Sequence, residues 1–174
     1  RSSPTVQRRS EAAAQPEYTV GQALKTPSYW LLATGILLRI AAQTGVVVHI
    51  VPIMVWKGLS EATGGSMIAT ISLAGVFTRP LMGWWGDHTS KRRLVAGAMI
   101  VGAGSLVLLV LSPGKLWLMI LFGAVFSATE GAAGLTWAMI GDYFGVKSYS
   151  TLRGGINLIV SFGSLVTPVF AGLV

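Results

Sequence analysis

The stretch Thr78–Arg93, TRPLMGWWGDHTSKRR, decides the fold because it joins apolar sequence to a short basic segment. Arg79 lies inside the apolar part, and Lys91, Arg92 and Arg93 close the stretch. The apolar segments on both sides are each long enough to cross a bilayer, which takes about 20 residues of helix. The stretch is therefore typical of a cytoplasmic turn between two membrane-spanning helices.

The composition is that of a membrane protein. Of 174 residues, 52% are hydrophobic and 11% are charged, and the mean hydropathy is +0.66, whereas a soluble domain has about 25% charged residues. A soluble helical bundle would need polar helix faces, which these segments lack. The net charge of +7 does not indicate a nucleic acid partner, because the cations lie in links between apolar runs. The absence of cysteine excludes disulfides and cysteine-ligated metals.

Five apolar segments predict an all-α integral membrane fold with five transmembrane helices, so the lipid bilayer is an expected partner. Residues 1–28 form a polar leader, in which Tyr18–Lys25 predicts a short interfacial helix capped by Thr19. Residues 29–174 are expected to form a helical bundle that lacks its last helix, as a piece of a longer protein. The predicted segments are Tyr29–Trp56, Met67–Gly86, Leu94–Leu111, Leu116–Gly141 and Leu152–Val174.

The distribution of lysine and arginine predicts the orientation. Nine of the 13 cations lie in the leader or around the links that follow the second and fourth segments, and only Lys57 and Lys115 lie in the other links. Because cytoplasmic loops carry an excess of Lys and Arg, residues 1–28 are expected in the cytoplasm. The expected location is a bacterial inner membrane or a plasma membrane.

Arg39 and Glu130 are charged residues inside apolar segments. A charge at the bilayer centre costs at least about 2.5–3.5 kcal/mol, so such residues usually face a partner or an aqueous cavity. Both lie about 15 Å from the cytoplasmic end at about 1.5 Å per residue. This predicts either a buried charge pair or an aqueous pathway in which Glu130 takes up protons. Gln43 follows Arg39 by one helical turn, which favours a polar lining.

Two further residues have alternative interpretations. Arg79 precedes Pro80, which removes a backbone donor, and its guanidinium suits bidentate binding of a carboxylate. The alternative is that Arg79 snorkels to the headgroups. His49 lies three residues before Pro52 and is either linked to proton movement or hydrogen-bonded near the membrane surface.

Small residues recur every four positions in the fourth segment. Gly123, Ser127 and Gly131 form one such series, and Ala124, Ala128 and Ala132 form another. Because small residues let membrane helices approach closely, the pattern predicts tight contact between this helix and a neighbour. It is a signal of helix contact rather than of ligand binding.

The segment from residue 83 to 93 resembles the signature loop of the major facilitator superfamily, which has a Gly, an Asp four residues later and a basic cluster. The matching residues are Gly83, Asp87, Lys91 and Arg92, and the departures are His88 and Ser90. The resemblance implies that residues 1–28 are the central cytoplasmic loop of a twelve-helix transporter and that the five segments are helices 7 to 11. A six-helix N-terminal half would complete the protein.

Four pieces are similar to the branch of monocarboxylate transporters and oxalate/formate exchangers. They are TPSYWLLATGILLR (26–39), the H-x-x-P of His49 and Pro52, TRPLMG (78–83) and GDYFGVKSYSTLRG (141–154). This similarity implies that Arg79 binds the substrate carboxylate. The chain has Gly75 where monocarboxylate transporters have an Asp, and its last segment lacks the Lys of oxalate exchangers. Glu130 is the candidate replacement for the missing acid.

The sequence therefore predicts a secondary transporter that moves a small organic anion, a monocarboxylate or a dicarboxylate, by alternating access. Coupling to protons and exchange are both open, and no cofactor or metal is implied. Arg79, Arg39 and Gln43 are the expected substrate-binding residues; Glu130, Arg39 and His49 are candidates for proton coupling or a buried charge pair. The alternatives are a proton-driven exporter of drugs or metabolites and a non-transporting membrane receptor. An enzyme is disfavoured because the catalytic motifs H-E-x-x-H and G-x-S-x-G do not occur.

Overall fold

The computed structural model describes residues 17–172, and side chains up to residue 168. Within that range the regular structure is entirely helical, which confirms the all-α class. Five long helices occupy the predicted segments, and the predicted leader is described only from residue 17 onward. The helices are α1 (Val20–Leu24), α2 (Pro27–Trp56), α3 (Glu61–His88), α4 (Lys91–Leu111), α5 (Leu116–Phe144) and α6 (Tyr149–Gly172).

Three of the helices in the described range are long and apolar enough to cross a membrane by length and composition. These are α2, α4 and α5. The helices α3 and α6 are also long, with 28 and 24 residues, but both contain many glycines and hydroxyl-bearing residues. Of the five predicted spans, three therefore meet this criterion of length and composition.

Helices α3 and α5 run parallel to each other along a contact that we call the α3–α5 seam. It is formed by Gly123, Ser127 and Gly131 of α5 against α3. A Cβ atom at position 131 would lie 2.8 Å from the carbonyl oxygen of Thr78, and one at position 123 would lie 3.4 Å from Ile71. The hydroxyl of Thr78 donates to the carbonyl of Ser127 at 3.0 Å. The predicted close contact of this small-residue series with a neighbouring helix is confirmed.

The remaining helix pairs complete the bundle. Helix α2 runs parallel to α6, where Gly163 contacts Leu37 and the hydroxyl of Tyr29 donates to the carbonyl of Leu152 at 3.3 Å. Helix α4 lies antiparallel to α5, with Gly102 against Thr129. This arrangement leaves one face of α3, including Arg79, exposed.

The short helix α1 lies at one end of the bundle. The side chain of Thr19 accepts a hydrogen bond from the backbone N–H of Gln22, and the side chain of Gln22 accepts one from the backbone N–H of Thr19, so the predicted cap is confirmed. The backbone of Tyr18 donates to the carbonyl of Phe144 at 3.2 Å, and Ser148 donates to the carbonyl of Tyr18 at 2.7 Å. We call the end of the bundle that holds α1, the α5–α6 link and the α3–α4 link the basic end.

Candidate functional site

The α3–α5 seam carries an ion pair between Arg79 and Glu130. The Nη2 atom of Arg79 lies 3.1 Å from Oε2 of Glu130, and the two side chains are 63% and 14% exposed. A Cβ atom at Gly75, one turn before Arg79, would lie 3.8 Å from the Cβ of Glu130. The glycine therefore allows the acid of α5 to approach α3 beside the arginine.

The predicted pair between Arg39 and Glu130 is not formed, because Glu130 pairs with Arg79. The prediction compared depths along the helix axes, and depth does not determine the direction in which a side chain leaves its helix. Helix α5 lies along α3 through the small residues of the seam, which turns Glu130 toward α3 rather than toward α2.

Arg39 is buried and bound to a neutral partner. Only 8% of the residue is exposed, and its Nη1 atom donates to Oε1 of Gln43 at 3.2 Å. Its Nε atom is buried without a hydrogen-bond partner among residues 17–172. The prediction that Arg39 and Gln43 share one helix face is confirmed by this contact.

Two cavities meet at the Arg79–Glu130 pair, and both residues line each of them. The first, of about 370 Å³, extends toward the basic end and is also lined by Gly83, Asp87 and Lys91. We call it the basic-end cavity. The second, of about 490 Å³, is lined by Gln43, Ser72, Gly75 and apolar residues of α2 and α3, and we call it the inner cavity. The ion pair is therefore part of the lining that the two cavities share.

A third cavity, of about 340 Å³, lies between α2, α4 and α5. Arg39 and Gln43 are its polar residues together with Thr129, and most of the others are apolar, including Leu38, Leu106 and Phe126. Gln43 lines this cavity and the inner cavity. The side chain of Gln43 is therefore part of the lining of both the cavity that holds Arg39 and the inner cavity that holds Arg79.

The predicted cytoplasmic loop is shorter than expected. Helix α3 continues to His88 and α4 starts at Lys91, so only two residues, Thr89 and Ser90, link them. Asp87 consequently lies in the last turn of α3 rather than in a loop. Three of the four signature residues, Gly83, Asp87 and Lys91, line the basic-end cavity with Arg79. The fourth, Arg92, is exposed.

An ion pair that was not predicted from the sequence lies at the basic end. Nζ of Lys91 lies 2.6 Å from Oδ2 of Asp142, with side chains 30% and 44% exposed. The pair connects the start of α4 to the end of α5. Asp142 belongs to the GDYFG piece of the sequence, and its position after the fourth apolar segment, opposite a basic cluster, was the available signal.

His49 is hydrogen-bonded within its own helix. Its Nδ1 atom lies 3.0 Å from the carbonyl oxygen of Gly45, so Nδ1 carries the proton that is donated. The residue is half-buried and lines none of the three cavities described above. The hydrogen bond agrees with one part of the second alternative, whereas a position near the membrane surface and a role in proton coupling both stay predictions. In the part of the chain that the structure describes, no group of three His, Asp or Glu side chains could hold a metal ion.

Comparison with known proteins assigns the chain at the level of a family. The model of the Major Facilitator Superfamily matches residues 18–174, which include all six helices. This match does not distinguish the monocarboxylate and oxalate/formate branch from the others. A comparison with curated proteins finds no match.

Proposed function

Since the chain belongs to the major facilitator superfamily, a family of transporters, we propose that it moves a small organic anion across the membrane by alternating access. We further propose that α2–α6 are helices 7 to 11 of a twelve-helix protein, completed by an N-terminal half of six helices. Two halves that rock around a site near the midplane would expose it to either side in turn.

The exposed guanidinium of Arg79 at the junction of two cavities is the observation that carries the proposal. Its contact with Glu130 engages Nη2, and an arginine has five N–H donors. The remaining donors are available to hold a carboxylate in a bidentate fork. A small monocarboxylate or dicarboxylate fits this chemistry.

The charges around the cavities also favour an anion. The inner cavity and the third cavity, which lies between α2, α4 and α5, are lined by three charged residues. These are Arg39, Arg79 and Glu130. Their formal sum is positive, and an unpaired charge in a region of low dielectric is unfavourable. An anion bound at Arg79 would compensate the excess.

Glu130 provides a route to proton coupling. Its carboxylate and the substrate carboxylate would compete for the guanidinium of Arg79. Protonation of Glu130 removes the competing charge and favours binding of the anion, so a proton and an anion would travel in the same direction. The basic-end cavity reaches Glu130, and from the Lys/Arg distribution we place that end in the cytoplasm.

The test uses the full-length protein in liposomes. Uptake of labelled lactate, pyruvate, oxalate and formate is followed with and without an inward proton gradient, for the wild type and for Arg79→Gln. We expect saturable uptake of at least one carboxylate, and loss of this uptake in Arg79→Gln.

Arg153→Gln is the matched control. Arg153 is an exposed arginine that lies over the rings of Trp137 and Tyr149 and lines none of the three cavities, so uptake should persist. If folded, inserted protein takes up no carboxylate, the proposal is wrong. Efflux of drugs or other metabolites would then support the exporter, and absence of any transport would support the receptor.

A further inference from the structure

The side-chain amide of Gln43 has a defined orientation. A guanidinium can only donate hydrogen bonds, so the atom of Gln43 that faces Nη1 of Arg39 at 3.2 Å is its oxygen. The amide nitrogen carries two N–H donors and makes no hydrogen bond to a residue between 17 and 168. Because Gln43 also lines the inner cavity, this nitrogen is the group left to serve a ligand there.

We propose that Gln43 donates a hydrogen bond to a second oxygen of the anion whose carboxylate Arg79 holds, and that Arg39 is the positioning residue that fixes the amide. The inference rests on the function proposed above and adds the feature by which the site selects its substrate. It assigns Arg39 a role behind the site instead of the substrate contact that the sequence predicted.

The burial of Arg39 supports a positioning role. With 8% of the residue exposed, the guanidinium is less accessible to a solute than that of Arg79, whose side chain is 63% exposed. Its hydrogen bond to Gln43 runs between adjacent turns of α2, and a charged donor makes this bond stronger than one between neutral groups. The amide is thereby held in one of its two orientations before a ligand arrives.

The lining of the inner cavity indicates the kind of ligand. Polar groups are contributed by Gln43, Ser72, Arg79 and Glu130, and the apolar lining comes from Val47, Ile68, Ile71 and Val76. A volume of about 490 Å³ accommodates a short carbon skeleton. The chemistry fits a small carboxylate with a second oxygen acceptor, such as a hydroxyl, an oxo group or a second carboxylate. A simple aliphatic carboxylate would leave the donor of Gln43 unpaired.

The experiment compares lactate with propionate, which lacks the 2-hydroxyl group. Uptake of each is measured in liposomes with the full-length protein, and the ratio of their kcat/KM values is the readout. We expect the wild type to prefer lactate and Gln43→Leu to lower the ratio about tenfold, as for one lost hydrogen bond in a desolvated site. Propionate uptake should change by less than about threefold, since it makes no contact that the variant removes.

Three further variants separate selection from a general structural effect. Gln43→Glu keeps oxygen acceptors for Arg39 but removes the amide donors, so we expect the lactate-to-propionate ratio to fall. This variant tests the proposal if Gln43→Leu does not fold. Arg39→Lys retains a donor to the amide oxygen and should preserve most of the ratio. Thr44→Val, at the next position of α2 and outside the three cavities, should leave the ratio unchanged.

The outcomes distinguish this inference from the function it rests on. An unchanged ratio in the folded Gln43 variants, with carboxylate uptake that still depends on Arg79, would overturn the role of Gln43 and leave the proposed function standing. An absence of uptake of every carboxylate by the wild type would overturn both.

Discussion

Arg79 and Arg39 are both arginines within long helices, yet their surroundings differ in accessibility and in the charge of the partner. Arg79 has a side chain that is 63% exposed and an anionic partner, Glu130. Arg39 is buried, with 8% of the residue exposed, and it binds the neutral amide of Gln43. An accessible cation with an exchangeable anionic partner is suited to binding and releasing a substrate. A buried cation with a neutral partner is suited to holding a neighbouring group in place.

Replacement of Arg79 should break this comparison most strongly. We expect Arg79→Gln to lower kcat/KM for the transported carboxylate at least about 30-fold, because loss of one partner of a hydrogen-bonded charge contact costs about 2–5 kcal/mol. Arg79→Lys should also lose activity, since the bidentate fork is lost. Arg39→Lys should lose less than about threefold. Equal losses in the two lysine variants, measured by liposome uptake, would mean that both arginines contact the substrate.

Replacement of Glu130 tests whether the partner of Arg79 provides proton coupling. Glu130→Gln removes the titratable group while retaining its size, so the stimulation of uptake by an inward proton gradient should disappear. Exchange of internal for external carboxylate should continue because Arg79 remains. The two activities are measured in the same liposomes, with and without the gradient. Stimulation of the variant to the wild-type degree would show that another group carries the proton.

Widening of the α3–α5 seam tests whether helix contact holds Arg79 beside Glu130. In Gly131→Ala the new methyl group would lie 2.8 Å from both Met82 and the carbonyl oxygen of Thr78. We expect a loss of about 1–3 kcal/mol in the free energy of unfolding, as for other overpacked contacts. The measurement is thermal unfolding of the full-length protein in detergent.

Gly134→Ala is the matched control for the seam. A Cβ atom at position 134 meets nothing within 4 Å, and alanine exceeds glycine in helix propensity by about 1 kcal/mol. This variant should therefore be as stable as the wild type or more stable. If both alanine variants unfold at the same temperature, the seam does not hold the two helices at this separation.

Apolar segment length and small-residue spacing predicted the helices and one of their contacts. The five segments became the five long helices, and the series Gly123, Ser127 and Gly131 predicted a close helix neighbour. Both features are local, because a segment's hydrophobicity and a spacing of four residues can be read without knowledge of the fold. The ends were less well predicted: α3 starts at Glu61 rather than Met67, because Ser60 caps a polar first turn.

The pairing of charges could not be derived in the same way. Counting residues from the membrane surface placed Arg39 and Glu130 at one depth, but a pair also requires that the two side chains face each other. Facing depends on which helices are neighbours, and this is a long-range property. The small-residue series of α5 predicted a close neighbour for this helix without indicating which helix it is. Only the structure shows that the neighbour is α3, that the two helices run parallel, and that Glu130 meets Arg79.

The Lys91–Asp142 pair provides a reference that sharpens the comparison, because it is shorter than the Arg79–Glu130 pair but more open to solvent on its acidic side. The two distances are 2.6 Å and 3.1 Å, and the carboxylates of Asp142 and Glu130 are 44% and 14% exposed. Exposed ion pairs contribute about 0–1 kcal/mol and are screened by salt. Burial, rather than distance, should therefore decide which pair matters more.

A double-mutant cycle on each pair measures this difference. For Lys91→Met and Asp142→Asn we expect a coupling free energy below about 1 kcal/mol, which decreases further when thermal unfolding is repeated at high salt. For Arg79→Gln and Glu130→Gln we expect a larger coupling that salt changes less, because Glu130 is mostly shielded from solvent. A larger coupling for Lys91 and Asp142 would mean that proximity outweighs burial. The ion pair between α4 and α5, rather than the one between α3 and α5, would then be the stronger electrostatic link of the two.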